Sequence, residues 1–100
     1  WRLKSYRLDK LVLQNPQSGH EIKLEWEDLA SEDQQWVLKT QGRDWQWEDS
    51  KGWHGARALL QSFDGYDSIW LRCEKGRIIS VETAWLSEDD QAFVERERKR

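Results

Sequence analysis

Apolar and polar residues alternate along most of the chain, a period of two that is typical of β-strands with one buried face. Proline and glycine punctuate the pattern, at Pro16 and Gly19 and again at Asp64-Gly65, where tight turns are expected. The strands that the alternation predicts are 1–7, 11–13, 22–26, 43–48, 53–61, 69–73 and 77–83.

Two short helices are predicted, and each begins at a serine. Ser31 and Gln34 have the spacing of a capping box, in which each side chain satisfies a free amide of the other residue. Ser87 is expected to cap the second helix. The acidic residues after both serines, 32–33 and 88–90, suit the positive end of the helix dipole, which explains them better than a cation site does. Trp36 and Val37 are expected to face the core.

The strand–turn–strand–helix pattern occurs twice, so the chain is a tandem repeat. The repeat predicts two units, 1–42 and 43–100, and we expect them to share an interface because the linker is short. The second unit has two strands ahead of its hairpin and the first has only one. Trp1 matches about Leu59 in this register, so the first unit is expected to lack its first strand. Either the given sequence begins within that strand, or another segment or chain supplies it. The aligned pairs are Leu13/Leu71, Gly19/Gly76, Leu29/Leu86, Asp33/Asp90, Gln34/Gln91, Trp36/Phe93 and Val37/Val94.

The second unit resembles the Sla-one homology domain one (SHD-one) family, and residues 8–37 resemble a truncated copy. The resemblance implies two tandem small Src-homology-3-like β-barrels, each with a short C-terminal helix. It also implies binding of short peptides with an Asn-Pro-Phe-x-Asp motif, as in the fungal members, or a place in a larger, exported bacterial protein. The motif residues are Arg43-x-Trp45, Asp49-x-x-Gly52, Ala58, Asp64-Gly65, Ile69-x-Leu71, Gly76, Val81, Leu86-Ser87-x-x-Asp90 and Phe93-Val94.

The same resemblance suggests a peptide-binding site in the second unit. The family commonly has a basic residue, suited to the ligand carboxylate, where this chain has Cys73. Basic residues beside it are candidates for that role, and exposed aromatic side chains would supply contact area at low entropic cost. The predicted peptide-binding residues are Trp53, Trp70, Arg72, Lys75 and Arg77.

The eight tryptophans are the most informative part of the composition. Trp47, Trp53 and Trp70 are less clearly buried than the others, and they serve either a peptide or an interface between the two units. The tryptophans expected to pack the cores are Trp26, Trp36, Trp45 and Trp85.

Charge and composition restrict the function further. The net charge of −3 and the pI of about 5.4 disfavour nucleic-acid binding, which usually needs a basic face. A single cysteine allows no intrachain disulfide, and no apolar run is long enough to span a bilayer. The chain has no methionine, so we expect a processed chain or a piece of a longer protein.

No catalytic or metal-binding constellation is predicted. His20 and His54 occupy different places in the repeat and have no partner at metal-ligand spacing. Cys73 is expected to be a half-buried strand residue rather than a reactive thiol. We therefore expect no enzyme and no cofactor, but a protein-interaction module that binds an extended peptide or a partner protein. The alternative is a structural element that assembles, as a homo-oligomer, through the edge strand at 1–7.

Overall fold

Seven strands form two antiparallel sheets in this computed structural model, which describes residues 1–100. Strands make up 47% of the chain, and the four-stranded sheet curves into a half-barrel. The predicted mainly β class with two short helices is therefore confirmed. The first sheet has the order β1 (Arg2–Arg7), β2 (Lys10–Gln14), β3 (Glu21–Glu25), and the second has the order β4 (Arg43–Asp49), β5 (Gly52–Asp64), β6 (Ser68–Arg72), β7 (Ile78–Glu82). The helices are α1 (Ser31–Gln41) and α2 (Glu88–Arg98).

Equivalent elements of the two sheets follow one another in the same order. β3 and β7 each run into a single 3-10 turn and then into a helix of 11 residues. A β-bulge interrupts β1 between Leu3 and Ser5, and the same irregularity interrupts β5 between Leu60 and Ser62. Leu3 is thus equivalent to Leu60, and Trp1 to Ala58. This register differs by one residue from the sequence alignment, because the turn after β5 is one residue longer than the turn after β1.

The N-terminal ends of both helices receive the same contact from a glutamine side chain. The residue before α1 is Ala30, and no side chain caps this helix, so the predicted capping box at Ser31 is wrong. The Gln34 side-chain amide donates instead to the carbonyl of Leu29, and Gln91 donates in the same way to Leu86. In α2 the predicted cap is confirmed, since the Ser87 hydroxyl accepts the amide of the third helical residue.

Two hydrophobic clusters meet at β5. Successive residues of a strand point to opposite faces, and here Leu59 enters the first cluster while Leu60 enters the second. β5 is therefore a shared wall, and the molecule is elongated, 50 × 29 × 19 Å. The first cluster contains Leu11, Trp26, Val37, Leu38 and Leu59. The second contains Trp45, Ala58, Leu60, Ile69, Leu71, Cys73, Val81, Leu86 and Val94.

The tryptophans divide differently from the expectation. Trp26 and Trp45 are buried, as predicted. Trp36 is 52% exposed and Trp85 is 41% exposed, so their predicted burial is wrong. Trp85 ends a 3-10 turn on the surface, and Trp36 lies beside a groove that nothing covers.

A tight turn of the first unit connects the two units. Leu8 and Asp9 both have positive φ, 50° and 65°, a conformation that costs roughly 1–2 kcal/mol for a residue with a side chain. Both side chains make contacts that offset this cost. Leu8 packs against the second cluster, and the Asp9 carboxylate accepts two hydrogen bonds from the Arg72 guanidinium, with Nε to Oδ1 at 3.0 Å.

The ion pair lies in a largely dry setting. The Arg72 guanidinium carbon is 4.9 Å from the centre of the Trp26 ring, and the Tyr6 hydroxyl donates to Asp9. Burial by itself lowers the pKa of Arg72, but the hydrogen bonds and the charge of Asp9 outweigh it, so the pKa lies above its ordinary value. Burial and the neighbouring Asp9 raise the pKa of Tyr6, which stays neutral. This hydrogen-bonded pair connects the two units.

Removing one member of this pair should destabilise the whole molecule. We expect Arg72→Ala to lower the free energy of unfolding by roughly 3–5 kcal/mol, because the Asp9 carboxylate then stays buried without its partner. Urea denaturation followed by circular dichroism measures the change. The matched control is Arg57→Ala, which removes an exposed ion pair with Asp44 and should cost about 1 kcal/mol or less. Equal losses in the two variants would contradict this account of the interface.

Candidate functional site

An open apolar groove of about 710 Å³ lies on the first unit, between β1 and α1. Its floor consists of aliphatic side chains, and two tryptophans stand at its edges. Trp1 is 63% exposed and Trp36 is 52% exposed. The groove is lined by Trp1, Arg2, Leu3, Leu11, Leu13, Leu29, Asp33, Trp36 and Val37.

The equivalent place in the second unit is filled by Trp45. This residue of β4 is fully buried, and its indole N–H donates to the carbonyl of Ala58 at 3.1 Å. Its ring meets the ring of Phe93 edge-on, with 5.5 Å between centroids. Ala58 and Phe93 are the counterparts of Trp1 and Trp36. The groove of the first unit thus has the walls of a tryptophan site and no tryptophan in it.

Polar contacts also hold β4 against the start of α2. The Asp90 carboxylate, which is 2% exposed as a residue, accepts the Arg43 guanidinium at 2.9 Å and the backbone amide of Gln46 at 2.8 Å. The backbone amide of Ser87 donates to the carbonyl of Gln46 at 2.9 Å. Asp90 therefore does more than complement the helix dipole, the only role expected for it, because it binds a neighbouring strand.

The corresponding groups of the first unit face the groove or solvent. Asp33 is the counterpart of Asp90, lines the groove and makes neither an ion pair nor a side-chain hydrogen bond. Ala30 is the counterpart of Ser87, and its backbone amide makes no hydrogen bond within the chain. The Asp33 carboxylate, the Ala30 amide and the Trp36 ring together form a set of groups suited to binding a strand. The sequence alignment already paired Asp33 with Asp90, but it could not show that Asp90 binds β4.

The structure does not bring the predicted peptide-binding residues together. Trp53 is 64% exposed at the β4–β5 turn, opposite Glu48. Trp70 is 37% exposed and lies between Ser62 and Ser80 on neighbouring strands, toward the other end of β5. These two aromatic side chains are separated along the sheet and do not share a pocket.

The basic residues of that predicted site also divide. Lys75 and Arg77 are exposed at the β6–β7 turn, where Lys75 has a φ of 61°. Arg72 is 7% exposed and its guanidinium is bound to Asp9, so the expectation of an exposed Arg72 beside Trp70 is corrected. A peptide carboxylate at Arg72 would compete with Asp9, which already binds Nε and Nη2 of the guanidinium.

The remaining candidate groups have structural contacts. His54 pairs with Asp49 at 2.9 Å and stacks on Trp47, and its hydrogen bond is the main cause of the lowered pKa of Asp49. His20 lies exposed in the long turn between β2 and β3. No group of three or more His, Cys, Asp or Glu side chains is placed to hold a metal ion. No helix has the length and apolar character needed to cross a bilayer.

A second cavity of about 380 Å³ lies between the units. It reaches from Tyr6 to Phe93, and the Arg7–Glu97 ion pair stands at its side. Both charges of that pair are satisfied by each other, and the Arg7 guanidinium also donates to the carbonyl of Glu97. The cavity is also lined by Arg43, whose Nε is buried without a partner, and it offers no free carboxylate like Asp33, because Asp44 pairs with Arg57.

A scan against family models, a search of curated proteins and a search of solved structures each found no match to this chain.

Equivalent helix positions should differ in their contribution to stability. Phe93→Ala removes the ring that packs on Trp45 and should cost about 2 kcal/mol, less than the roughly 3–5 kcal/mol of a fully buried phenylalanine. Trp36→Ala removes a larger ring that packs on no strand and should change stability by about 0.5 kcal/mol or less. Thermal and urea unfolding of the two variants measure the difference. A Trp36→Ala loss as large as that of Phe93→Ala would contradict an uncovered groove.

The single thiol should be inert while the chain is folded. Cys73 is 5% exposed, and burial raises its pKa even though Arg77 acts in the opposite direction. Because only the thiolate reacts readily, a disulfide reagent at neutral pH should modify Cys73 at the rate of local opening and should modify it rapidly in urea. Rapid labelling of the native chain would contradict the burial of this side chain.

Proposed function

We propose that this chain is a non-catalytic protein-interaction module that binds an extended peptide segment in the groove of its first unit. The observation that carries the proposal is the open groove itself, whose second-unit counterpart holds a strand. Closure of the two units as tandem Src-homology-3-like barrels, and membership of the SHD-one family, belong to the same proposal. The repeated order of strands, 3-10 turn and helix supports both.

The chemistry of the groove suits a peptide. Extended peptides are recognised when pockets accept alternate side chains and main-chain groups find partners. Here the floor is apolar, the free amide of Ala30 is a main-chain donor and Asp33 is a single acceptor that fixes orientation. Trp1 and Trp36 supply large contact areas with few rotatable bonds, as aromatic hot-spot residues do.

Assembly through the edge strand is the second candidate. β1 is an edge strand, and uncovered edges pair readily with other strands. However, three of its six residues are basic, it contains a bulge, and Lys4 forms an ion pair with Glu21 across the sheet. Charges and bulges are the features that protect edges from pairing, so the groove is favoured over the edge.

The predicted site in the second unit remains a smaller part of the proposal. Lys75 and Arg77 are both exposed at the β6–β7 turn and could bind a carboxylate, as the family resemblance implies. Trp70 would flank such a contact on the neighbouring strand. This site lacks a groove, so we place the main binding surface on the first unit.

Selection from a random-peptide phage library tests the proposed function. We expect enriched peptides whose affinity falls at least about tenfold on Trp36→Ala, measured by fluorescence anisotropy. The matched control is Trp85→Ala, which removes a 41% exposed tryptophan that belongs neither to the groove nor to the predicted site of the second unit and should leave the affinity unchanged. Absence of enrichment, or loss on Trp85→Ala alone, would overturn the assignment of the groove.

A further inference from the structure

We infer that the groove of the first unit binds a segment with the motif Arg-x-Trp from another polypeptide, with the arginine on Asp33 and the indole between Trp36 and Leu3. This inference rests on the proposed function and names the ligand chemistry of the same site. It comes from the second unit, where β4 carries that motif as Arg43-x-Trp45 and occupies the equivalent place.

The indole is specified by the walls. Trp45 packs in a cluster with Leu60, Ile69, Leu71, Leu86 and Val94, and each of these has an aliphatic counterpart in the first unit. The counterparts line the groove and are Leu3, Leu11, Leu13, Leu29 and Val37. The Phe93 ring meets Trp45 edge-on in the second unit. Its counterpart in the first unit, Trp36, is also aromatic. A tryptophan side chain therefore has the apolar walls and the aromatic neighbour that it has in β4.

The arginine is specified by Asp33 and Trp36 together. In the second unit the Arg43 guanidinium hydrogen-bonds to Asp90 and lies 4.2 Å from the centre of the Phe93 ring. A guanidinium can do both at once because it is planar and stacks on aromatic faces while it donates in its own plane. A lysine would supply the charge without the stacking. The exposed face of Trp36 and the free Asp33 carboxylate give the first unit the same two receptors.

The main chain fixes the direction of the ligand. The bridge between Trp47 and Leu86 is antiparallel, and Gln46 uses both its carbonyl and its amide, toward Ser87 and Asp90. In the first unit the equivalent receptors are the amide of Ala30 and the carboxylate of Asp33. The bound segment therefore runs antiparallel to residues 29–30, and the residue after its tryptophan accepts the Ala30 amide.

A partner polypeptide is a better occupant than a second copy of this chain. Each copy has one Arg-x-Trp motif, in β4. All seven residues of β4 pair with β5, and its Trp45 is fully buried. Supplying β4 to a neighbour would open the second cluster of the donor, and this cost is absent for a segment that is unfolded before binding.

The test uses a synthetic peptide with the sequence of β4, RDWQWED, blocked at both ends and titrated against the full chain by isothermal calorimetry. We expect one-to-one binding that weakens at least about tenfold when alanine replaces the peptide arginine or its first tryptophan. Asp33→Asn should cause the same loss for the parent peptide and almost none for the peptide without arginine. The matched control is Glu32→Gln, which removes the same charge one residue away and should leave the affinity unchanged.

Two structural readouts separate this mode from a nonspecific contact. In amide NMR spectra the Ala30 resonance should shift downfield on binding, because its N–H gains an acceptor. A peptide with glutamate in place of its arginine should bind the Asp33→Arg variant better than it binds the parent chain. The variant restores the ion pair with the two charges reversed.

Three results would overturn the inference. If library peptides depend on Trp36 but carry no Arg-x-Trp motif, and RDWQWED does not bind, the groove binds peptides and the named ligand is wrong. If no peptide depends on Trp36, the proposed function itself fails. If sedimentation shows a dimer that the peptide dissociates, the occupant is a second copy.

Discussion

The burial of Trp45 against α2 is the interaction on which the packing of the second unit depends. One strand inserts an indole between the sheet and the helix, and its neighbouring arginine and amide satisfy Asp90. A buried carboxylate is costly unless it is paired and hydrogen-bonded, so this arrangement needs the strand as much as it needs the helix. The first unit repeats the turn, the helix and three strands of the sheet without that strand and, with Trp1 equivalent to Ala58, without a counterpart of residues 52–57, with which β4 also pairs. Its Asp33 and Trp36 consequently stay exposed, and a groove remains where the second unit has a core.

The two units are nevertheless joined by shared packing. β5 supplies Leu59 to the first cluster and Leu60 to the second, so neither core is complete without that strand. The Leu8–Asp9 turn adds a second connection, in which two residues adopt a left-handed conformation to place an aliphatic side chain and a carboxylate into the neighbouring unit. A groove on such a supported frame is held open at low entropic cost, which favours binding of an extended segment.

Much of this fold follows from local patterns in the sequence. Alternation predicted the strands, Gly19 and Gly76 marked the turns, and the serine before α2 is a cap. Local patterns could not predict the features that depend on contacts between residues far apart in the sequence. Arg72 looked exposed because Trp70 and Arg72 alternate with Ile69 and Leu71, yet its partner Asp9 lies 63 positions away and buries it. Trp36 and Phe93 occupy equivalent helix positions. Such a position faces a core only when a strand covers the helix, as β4 covers α2 at Phe93. The site was visible in part, as the missing strand of the first unit, but its polar receptors emerged only from the contacts of Asp90.

Native-state hydrogen exchange of the two helices tests the central claim most directly. α1 and α2 have the same length and the same glutamine contact at their starts. They differ in that β4 lies against the start of α2 and Ser87 caps it, whereas α1 has neither of these contacts and packs on β5. If the first unit is the second unit without its covering strand, the amides of α1 should exchange at least about tenfold faster than their counterparts in α2, because α1 opens locally at lower free energy. Equal protection of the two helices, or stronger protection of α1, would contradict the account.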